Sequence, residues 1–337
     1  MSTILVTGGC GFIGINFVRS LLERESDVKV VNVDALTYAG NLQSLEDILD
    51  NPRHIFAHGN ICDRAFINDL MREYNIKGII NFAAESHVDR SITGPEIFVD
   101  TNVVGTLVLL QAALDNDILR FLQVSTDEVY GSLGPEGLFT EHSPIQPNSP
   151  YSASKASADH LVWAFHHTYG MNTVITRCSN NYGPYQFPEK MIPLMINNAR
   201  HDKPLPVYGD GLYVRDWLYV CDHCTAVWAA YKKGRPGSIY NIGGNNEKTN
   251  IAVIKEILSK LGKPESLITY VTDRLGHDRR YAINASKAKQ ELGWQPSVTF
   301  EEGLAMTLKW YVDNSAWLDL VTSGAYKSYY EQMYSGR

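Results

Sequence analysis

The chain has 337 residues, of which 44% are hydrophobic and 20% are charged, and its formal net charge is −7. This composition is that of a globular protein with a large core, and the scattered basic residues argue against nucleic acid or an anionic membrane as the main partner. Five cysteines, an odd number, argue against a disulfide framework and favour a reducing compartment. The first residues lack the features of a signal peptide and no apolar run reaches membrane-spanning length, so we expect a cytoplasmic protein.

Short apolar runs alternate with amphipathic stretches over the first half of the chain. The runs predict strands at Ile4–Thr7, Val28–Val33, Ile55–His58, Ile79–Phe82, Phe121–Val124 and Val174–Arg177. The stretches between them predict helices at Phe12–Arg24, Leu42–Leu49, Ala65–Tyr74, Pro95–Asn116 and Pro150–Tyr169. The last of these begins strongly, with Ser149 as N-cap and Pro150 at the first helical position. Such alternation is typical of a doubly wound parallel α/β sheet, the Rossmann architecture.

A glycine-rich segment follows the first predicted strand. Gly8, Gly11 and Gly14 have Gly-x-x-Gly-x-x-Gly spacing and open a helix, which permits a tight turn and close approach to a pyrophosphate. Asp34 ends the second strand and can accept hydrogen bonds from ribose hydroxyls. A carboxylate there disfavours a 2′-phosphate, so the pattern predicts NAD rather than NADP. The alternative is a simple tight turn with a solvated Asp34.

Candidate catalytic groups follow the fifth predicted strand and open the last helix. Thr126, Asp127 and Glu128 lie where an open α/β sheet binds its ligands. Burial and mutual repulsion should raise the pKa of at least one of the two carboxyl groups, which suits a general acid beside a general base. Tyr151 and Lys155 share one helix face, and an ammonium beside a phenol favours the phenolate as a base. Taken singly, either pair could instead lie on a solvated surface.

The pattern changes after about residue 178, where Pro and Gly become frequent. We interpret residues 1–178 as an NAD-binding domain and residues 179–337 as a smaller α/β substrate lobe, with some segments returning to the first domain. The aromatic tail from Trp317 is predicted to pack. Cys221 and Cys224 have CxxC spacing without a second such pair, so we favour two half-buried thiols over a metal site and predict no metal.

The helices Pro95–Asn116 and Pro150–Tyr169 are apolar on more than one face. One face must cover the sheet, and the other can pair with a second copy of the chain as a four-helix interface. The alternative is a pair of helices buried beneath the second lobe. We favour a homodimer built through these two helices.

With the glycine segment and the Tyr-x-x-x-Lys pair in place, the chain resembles the extended short-chain dehydrogenase/reductase superfamily. Within it the chain is most similar to the NAD-dependent dTDP-glucose 4,6-dehydratases, over essentially its whole length. The segments that carry the resemblance are DALTYAGN at 34–41, AAESHVDRS at 83–91, TDEVYG at 126–131, NNYGPY at 180–185, FPEK at 187–190, RDW at 215–217, YNIGG at 240–244 and GHDRRY at 276–281. Epimerases of the same fold have small or hydroxyl residues in place of Asp127 and Glu128.

The resemblance implies a hydro-lyase with internal redox chemistry on dTDP-glucose. Tyr151, supported by Lys155, would take the proton of the glucose 4-hydroxyl, to which Thr126 hydrogen-bonds, while a hydride passes from C4 to NAD. The new ketone acidifies the C5 proton for removal by Glu128, and protonated Asp127 would donate to the departing 6-hydroxyl. The hydride would return to C6, so NAD is regenerated in each turnover and should stay tightly bound.

The resemblance also implies two sets of binding residues. Those for NAD are Gly8, Gly11, Phe12, Ile13, Gly14, Asp34, Ala35, Leu36, Thr37, Asn60, Ile61, Phe82, Ala83, Ala84, Ser86, Thr101, Tyr151, Lys155 and Asn181. Those for the sugar nucleotide are Ser86, Thr126, Asn180, Lys190, Pro206, Val207, Tyr208, Arg215, Asn250, Arg274 and His277. The two arginines can fork onto a diphosphate. Relatives usually carry Asp in place of Asn60, so we expect weaker anchoring of the adenine with NAD binding retained.

Alternative functions stay open at this point. A 4-epimerase or net dehydrogenase on the same substrates needs no C5 base or C6 acid, so Asp127 and Glu128 count against it. A regulatory protein that only senses NAD commonly lacks the Tyr–Lys pair, which is intact here. UDP- and dTDP-glucose dehydratases share the Thr-Asp-Glu pattern, so both bases remain candidates. The product would serve nucleotide-deoxysugar synthesis, with dTDP-rhamnose favoured among several deoxysugars.

Overall fold

The computed structural model describes residues 2–323 of the chain, and the strands lie within this range. They are β1 Ser2–Thr7, β2 Val28–Asp34, β3 His54–His58, β4 Gly78–Asn81, β5 Arg120–Thr126, β6 Thr173–Cys178, β7 Asn180–Tyr182, β8 Leu205–Tyr208, β9 Val214–Tyr219, β10 Ser238–Ile242, β11 Glu247–Thr249 and β12 Ile268–Val271. Seven of them form one parallel sheet in the order β10-β6-β5-β4-β1-β2-β3. The strand order reverses between β1 and β4, which confirms the predicted doubly wound sheet and places a ligand crevice at the carboxyl ends of these strands.

Helices cover both faces of the large sheet and build much of the second half. They are α1 Phe12–Arg24, α2 Arg64–Glu73, α3 Val88–Thr93, α4 Glu96–Phe98, α5 Gly105–Asp115, α6 Pro150–Tyr169, α7 Met191–Arg200, α8 Val220–Lys233, α9 Asn250–Leu261, α10 Phe300–Asp313 and α11 Ser315–Val321. A π-helical segment, Val99–Val104, joins α4 to α5 as one continuous helix. The remaining helical segments are 3-10 turns at Leu42–Ile48, Asp127–Tyr130 and Glu265–Leu267 and a π-helical turn at Ala288–Leu292.

The predicted α-helix Leu42–Leu49 is wrong in type, because the chain forms a 3-10 segment there. Asn41 begins it, and its side chain accepts a hydrogen bond from the backbone N–H of Gln43 at 3.0 Å. Ser44 and Leu45 are the buried residues of the segment. So small a buried face gives little packing energy with which to propagate an α-helix.

Two core layers sandwich the large sheet, because successive side chains of a strand point to opposite faces. Ile4 and Val6 of β1 pack in the layer formed with α1 and α8. Leu5 packs in the opposite layer, with α2, α5 and α6. Burial on both faces is the reason that these strands appear in the sequence as continuous apolar runs.

The second half of the chain divides between the large sheet and a smaller body. β10 pairs with β6 in the large sheet, and α8 packs beside α1. The other elements form a three-stranded sheet, β11-β9-β7, and a two-stranded sheet, β12-β8, around a separate apolar core. Ile192 of α7, Ile254 of α9 and Phe300 of α10 meet in that core. The chain therefore leaves the large sheet, returns to it once, and leaves it again.

The continuous helix Glu96–Asp115 corrects the expectation that no apolar run reaches membrane-spanning length. Its 20 residues, with a mean hydropathy of 1.7 over its most apolar window, are long and apolar enough to cross a membrane, and half of that window is buried in the protein. Leu109 and Leu110 face the sheet, whereas Val99 and Val104 are exposed, so the helix is apolar on its outer side as well. A helix packed on a core satisfies the same length and composition criteria.

The described part of the aromatic tail packs against the second half of the chain. Trp317 contacts Tyr185 and Trp310, and its indole N–H donates a hydrogen bond to the Ser44 hydroxyl at 2.8 Å. The other aromatic residues of the predicted packed tail lie outside the described residues: Tyr326, Tyr329, Tyr330 and Tyr334.

Candidate active site

β5 delivers three polar side chains in succession at the carboxyl edge of the large sheet. Thr126 is the last residue of the strand, and its hydroxyl accepts a hydrogen bond from the backbone N–H of Glu128 at 3.2 Å. This bond caps the 3-10 turn that holds Asp127 and Glu128. Gly131 ends the turn at φ +85°, where a side chain would collide with the carbonyl oxygen of Gln146. The turn thus fixes a hydroxyl and two carboxyl groups side by side.

The start of α6 brings Tyr151 and Lys155 to the same edge. Ser149 and Ser152 form a capping box, in which each hydroxyl accepts a hydrogen bond from the other residue's backbone N–H at 3.1 Å. Tyr151 and Lys155 are both buried. The Lys155 ammonium donates a hydrogen bond to the backbone carbonyl of Val124 at 2.8 Å, which ties α6 to β5. The capping box and this bond together fix how far the first turn of α6 reaches over the sheet edge.

The two adjacent carboxyl groups lie in different electrostatic surroundings. Burial raises the pKa of Asp127 well above its ordinary value, and the neighbouring Glu128 raises it further. Burial also raises the pKa of Glu128, but cationic groups oppose that shift. These groups are Arg274, Lys190 and Arg215. Asp127 is therefore the carboxyl group that keeps its proton, and Glu128 is the one that ionises, which separates an acid from a base.

The predicted phenolate at Tyr151 is not supported by the chain's own groups. Burial raises the pKa of Tyr151 well above 10, Glu128 raises it further, and a hydrogen bond with Thr126 acts in the opposite direction. Lys155 binds the Val124 carbonyl, and burial lowers the pKa of its own ammonium. The prediction that the Lys155 ammonium favours a phenolate at Tyr151 is therefore corrected. A further positive charge beside the phenol would be needed to release its proton near neutral pH.

A wide, solvent-open cavity extends along the carboxyl ends of the strands. All the predicted NAD-binding residues except Leu36 line it, together with the five candidate catalytic residues. Thr101, one of these lining residues, comes from the π-helical segment, a type of distortion that is frequent at functional sites. The side-chain oxygens of Ser125 and Asn181 also line the cavity, and both are buried without a hydrogen-bond partner.

Leu36 does not line this cavity. Its backbone is left-handed, with φ +51°, and its N–H donates a hydrogen bond to the carboxylate of Asp34 at 2.8 Å. This conformation directs the Leu36 side chain into the core layer beside α1. The same carboxylate accepts a hydrogen bond from the N–H of Cys10 at 2.9 Å. Asp34 therefore braces the glycine segment from below as well as facing the cavity.

Gly8 and Gly14 of the glycine segment have a different structural role from Gly11. Gly8 has φ +70°, and a Cβ there would lie 2.7 Å from the backbone nitrogen of Ala83. A Cβ on Gly14 would lie 2.1 Å from the carbonyl oxygen of Gly8. Gly11 has extended backbone, and its Cβ would meet only the Gly8 oxygen, at 3.4 Å. The chain's own packing thus requires Gly8 and Gly14, while Gly11 leaves open backbone at the N-terminus of α1, as a phosphate cradle requires.

A second, smaller cavity lies between the large sheet and the smaller body. Nine of the predicted sugar-nucleotide residues line it; the other two, Ser86 and Thr126, line the first cavity. Six residues line both cavities: Glu128, Asn180, Asn181, Gln186, Glu189 and Lys190. Ligands in the two cavities would therefore meet beside Glu128.

Several lining residues were not among the predicted ones. Ser125 and Cys178 lie beside the reacting edge because β5 and β6 pair with Thr126 opposite Cys178. Their positions at strand ends were a signal that could have identified them. Gln186 and Glu189 also line both cavities; Glu189 belongs to the FPEK segment that carries the family resemblance, and Gln186 immediately precedes it.

The CxxC segment serves the fold at the start of α8. Cys224 is buried, and its thiol lies 3.8 Å from the carbonyl oxygen of Ile13. The intervening Asp222 carboxylate accepts hydrogen bonds from the backbone N–H groups of Ser297 and Val298, at 2.8 and 2.9 Å. Across residues 2–323, no group of three or more His, Cys, Asp or Glu residues is arranged to hold a metal ion.

Comparison with known proteins agrees with this geometry. The sequence model of the GDP-mannose 4,6 dehydratase family matches residues 5–307. A dTDP-glucose 4,6-dehydratase of Xanthomonas campestris pv. campestris is 57% identical over 97% of this chain and 98% of its own length.

Two solved structures superpose closely on the fold. The dTDP-glucose 4,6-dehydratase of Bacillus anthracis in complex with NAD has a TM-score of 0.90 and 52% identity, over 95% of this chain and 100% of that one. The dTDP-glucose 4,6-dehydratase of Streptomyces venezuelae with NAD bound has a TM-score of 0.92 and 48% identity, over 95% and 99% of the two chains.

Proposed function

This chain belongs to the dTDP-glucose 4,6-dehydratase family, and we propose that it is a hydro-lyase that converts dTDP-D-glucose to dTDP-4-keto-6-deoxy-D-glucose and water. The observation that carries the proposal is the pair of adjacent carboxyl groups, Asp127 and Glu128, with separated proton affinities where two cavities meet. A 4-epimerase needs neither a base for C5 nor an acid for the 6-hydroxyl, so this pair favours the dehydratase over the epimerase.

The larger cavity has the features that an NAD site needs. Gly11 offers open backbone at a helix N-terminus, and Asp34 lies where ribose hydroxyls would bind. The unpartnered oxygens of Ser125 and Asn181 provide acceptors farther along the cavity. When bound in this cavity, which Tyr151 also lines, NAD would supply a hydride acceptor and donor and a positive charge. The carboxylate at the ribose position favours NAD over NADP, and Asn60 in the same cavity can still accept a hydrogen bond from the adenine amino group.

Substituting the glycines should separate fold from binding. We expect Gly14→Ala to lower both the melting temperature and NAD affinity, because its Cβ would lie 2.1 Å from the Gly8 carbonyl oxygen. Gly11→Ala should keep the melting temperature and still weaken NAD binding at least about tenfold, since its methyl group would occupy the phosphate cradle. Thermal unfolding and calorimetric titration with NAD measure the two effects. Equal NAD affinity in Gly11→Ala and the wild type would place the pyrophosphate elsewhere.

Tyr151 and Thr126 would act on the 4-hydroxyl of the sugar. Once a positive charge lies nearby, Tyr151 would release its own proton to solvent, and the resulting phenolate would accept the proton of the 4-hydroxyl while Thr126 hydrogen-bonds the same oxygen. Lys155 holds α6 to β5 through the Val124 carbonyl and supplies a buried ammonium at this end of the cavity. These residues thus orient the 4-oxygen and move its proton.

Glu128 and Asp127 would carry out the elimination. Glu128, kept ionisable by its cationic neighbours, removes the proton from C5, which a ketone at C4 makes acidic. Asp127, kept protonated by burial, donates its proton to the departing 6-hydroxyl, so water leaves rather than hydroxide. Glu128 would then return a proton to C5, and Asp127 would regain its proton from water before the next turnover.

The second cavity would hold the nucleotide diphosphate. Arg215 is fixed by hydrogen bonds from its guanidinium to the carbonyl oxygens of Val214 and Asp278, at 2.8 and 2.9 Å, which leaves its charge directed into the cavity. Arg274 lines the same cavity and completes the pair of guanidinium groups for the diphosphate. Burial and the two arginines lower the pKa of His277 to about 3, so it stays neutral beside the nucleotide. The other proposed nucleotide contacts are Asn180, Lys190, Pro206, Val207, Tyr208 and Asn250.

The two parts of the chain have different proposed binding roles. We assign NAD binding to residues 1–178 and sugar-nucleotide binding mainly to residues 179–337, with β10 and α8 returning to the first domain. The enzyme would work in the cytoplasm, where nucleotide sugars are made, and its product would enter deoxysugar synthesis, with dTDP-rhamnose favoured.

The outer faces of the helix Glu96–Asp115 and of α6 support a homodimer. Ile97, Val99 and Val104 are exposed on the first helix, and Trp163 and Tyr169 on the second. Exposed apolar side chains on two helices that pack against each other favour pairing with a second copy.

Replacing Val104 by Glu should dissociate this dimer, because the new carboxylate would be buried without a partner in the interface. We expect the sedimentation coefficient to change from that of a dimer to that of a monomer, while Leu119→Glu, at an exposed site elsewhere, leaves it unchanged. A variant Val104→Glu that sediments like the wild type would exclude this interface.

Mass spectrometry of the product tests the proposed activity. The purified protein is incubated with dTDP-glucose and, separately, with UDP-glucose, without added NAD. Loss of one water from the dTDP sugar alone is expected, which would also show that NAD is retained. An isomer of unchanged mass would indicate an epimerase, and no change with either sugar after NAD is supplied would contradict the dehydratase.

A further inference from the structure

The loop Gln186–Lys190, which we call the bridging loop, forms part of the wall between the two cavities. Glu189 and Lys190 line both of them. The loop leads directly into α7, whose first residue is Met191. Its position means that whatever holds this loop acts on both cavities together.

The Glu189 carboxylate is buried and is held by two segments that belong to the NAD cavity. Its side chain is 2% exposed. One carboxylate oxygen accepts a hydrogen bond from the Tyr38 hydroxyl at 2.9 Å, and the other accepts one from Arg90 Nε at 3.3 Å. The Arg90 guanidinium in turn lies 3.7 Å from the centroid of the Tyr38 ring. Glu189, Tyr38 and Arg90 therefore form a closed triangle, which we call the Glu189 triad.

The members of the Glu189 triad come from three distant parts of the sequence. Tyr38 lies in the turn after β2, between Thr37 and Ala39, both of which line the NAD cavity. Arg90 lies in α3, just after Ser86 of the same cavity. Neither Tyr38 nor Arg90 lines either of these two cavities, so they hold Glu189, which lines both, from behind the cavity wall.

The bridging loop makes further contacts with the segments that carry Ser86 and Tyr38. The Lys190 ammonium donates a hydrogen bond to the carbonyl oxygen of Ser86 at 2.6 Å. An imidazole nitrogen of His87 lies 3.4 Å from the carbonyl oxygen of Glu189. The Phe187 ring meets the Tyr38 ring edge to face, with centroids 5.8 Å apart. The bridging loop is thus attached along its length to the segments that enclose the NAD cavity.

We infer that Glu189 is a positioning residue that fastens the ribose-side turn of the NAD cavity to the loop carrying Lys190, so that retention of NAD and placement of the sugar nucleotide depend on one buried carboxylate. The inference rests on the proposed function in assigning NAD and a sugar nucleotide to the two cavities. It explains physically how a cofactor that is regenerated in every turnover can be kept in place. The turn around Tyr38 cannot swing away from the cavity unless a buried charge-assisted contact breaks.

The chemistry of the Glu189 triad fits a fastening rather than a proton-transfer role. Burial and the neighbouring carboxylate of Glu189 raise the pKa of Tyr38 well above its ordinary value, so its hydroxyl remains a donor. Burial raises the pKa of Glu189, and Lys190 and Arg90 oppose that shift.

The test compares Tyr38→Phe and Glu189→Gln with the wild type and with Glu265→Gln. Glu265 is an exposed glutamate paired with Lys255, so its variant removes a carboxylate of the same kind far from both cavities. Bound NAD is measured by chromatography after acid release, before dialysis and at intervals during it. Affinity for dTDP is measured by calorimetry with NAD in excess, and the melting temperature is recorded for each protein.

We expect Tyr38→Phe and Glu189→Gln to lose NAD about 10- to 100-fold faster than the wild type, the change typical of removing a charge-assisted hydrogen bond. Glu189→Gln should also weaken dTDP binding and raise KM for dTDP-glucose more than it lowers kcat at saturating NAD. Glu265→Gln should match the wild type. The double variant should lose NAD no faster than Glu189→Gln alone, because both changes break the same contact.

NAD release from both variants at the wild-type rate would overturn the inference, as would additive effects in the double variant. A lower melting temperature with unchanged NAD release would show a structural role only and would also overturn it. If the wild type retains NAD but dehydrates no sugar nucleotide, while the variants release NAD quickly, the proposed function fails and the fastening role of Glu189 stands. Tyr38→Phe removes one hydroxyl, so it keeps the test valid even if Glu189→Gln does not fold.

Discussion

Glu128→Gln is expected to lower kcat for dehydration by about 10²- to 10⁴-fold, the range that a positioned general base supplies. The amide has the shape of the carboxylate but cannot take the C5 proton. Binding of dTDP should change little, since the proposed diphosphate contacts Arg215 and Arg274 line the second cavity and are left intact. The loss therefore belongs in kcat rather than in KM.

Isotope incorporation from heavy water separates this role from a general loss of folding. The wild-type product formed in D₂O should carry deuterium at C5, because the base exchanges its proton before C5 is reprotonated. Glu128→Gln should incorporate deuterium into substrate and product about 10²- to 10⁴-fold more slowly than the wild type, at an unchanged melting temperature. Asp127→Asn is the matched control, because it should slow the release of water while exchange at C5 continues. Exchange at the wild-type rate in Glu128→Gln would assign the C5 base to another residue.

Asp159→Ala is expected to destabilise the protein by about 3–5 kcal/mol, the typical cost of leaving one member of a buried ion pair unpaired. Arg177 Nε donates a hydrogen bond to the Asp159 carboxylate at 2.9 Å, and the two side chains are 4% and 2% exposed. Arg177 also donates to the Tyr130 hydroxyl at 3.0 Å. Removing the carboxylate would leave the Arg177 guanidinium buried without its charged partner between β6 and α6, behind the 3-10 turn that holds Asp127 and Glu128.

Urea unfolding followed by circular dichroism measures the loss of stability. A double variant, Asp159→Leu with Arg177→Met, should recover much of it, because two apolar side chains replace two buried charges. Lys309→Ala is the control, since its ion pair with Asp313 is solvent-exposed and should contribute less than about 1 kcal/mol. Asp159→Ala with a midpoint like that of Lys309→Ala would show that the buried pair contributes little to folding.

The start of α6 shows which features were predictable from sequence. Ser149 and Pro150 are local signals whose chemistry acts within one turn, so the helix begins where the sequence predicted it. The strands of the large sheet were predictable for a similar reason, because burial on both faces leaves continuous apolar runs. The grouping of Asp127 and Glu128 with Tyr151 followed from the rule that strand ends of a parallel sheet share one edge.

Other features depend on contacts that no local pattern contains. The left-handed turn at Leu36 turned its side chain into the core, and the Lys155 ammonium was drawn to the Val124 carbonyl rather than being available to the phenol. Glu189 meets partners that lie 151 and 99 residues away in the sequence. Such side chains acquire their roles only when distant segments pack together. The sequence pattern therefore identifies the motif but does not reveal which contacts its residues make.

The pairing of β10 with β6 constrains how the protein is made. The edge of the large sheet beside β6 is completed only by Ser238–Ile242, and one core layer needs α8 as a cover. During synthesis the large sheet cannot be completed until residue 242 has left the ribosome, and until then an apolar sheet face and an unpaired strand edge stay exposed. A fragment ending near residue 178 would carry the same open edge permanently. The two halves are therefore one folding unit, and chaperone dependence should be highest for nascent chains that stop between these two points.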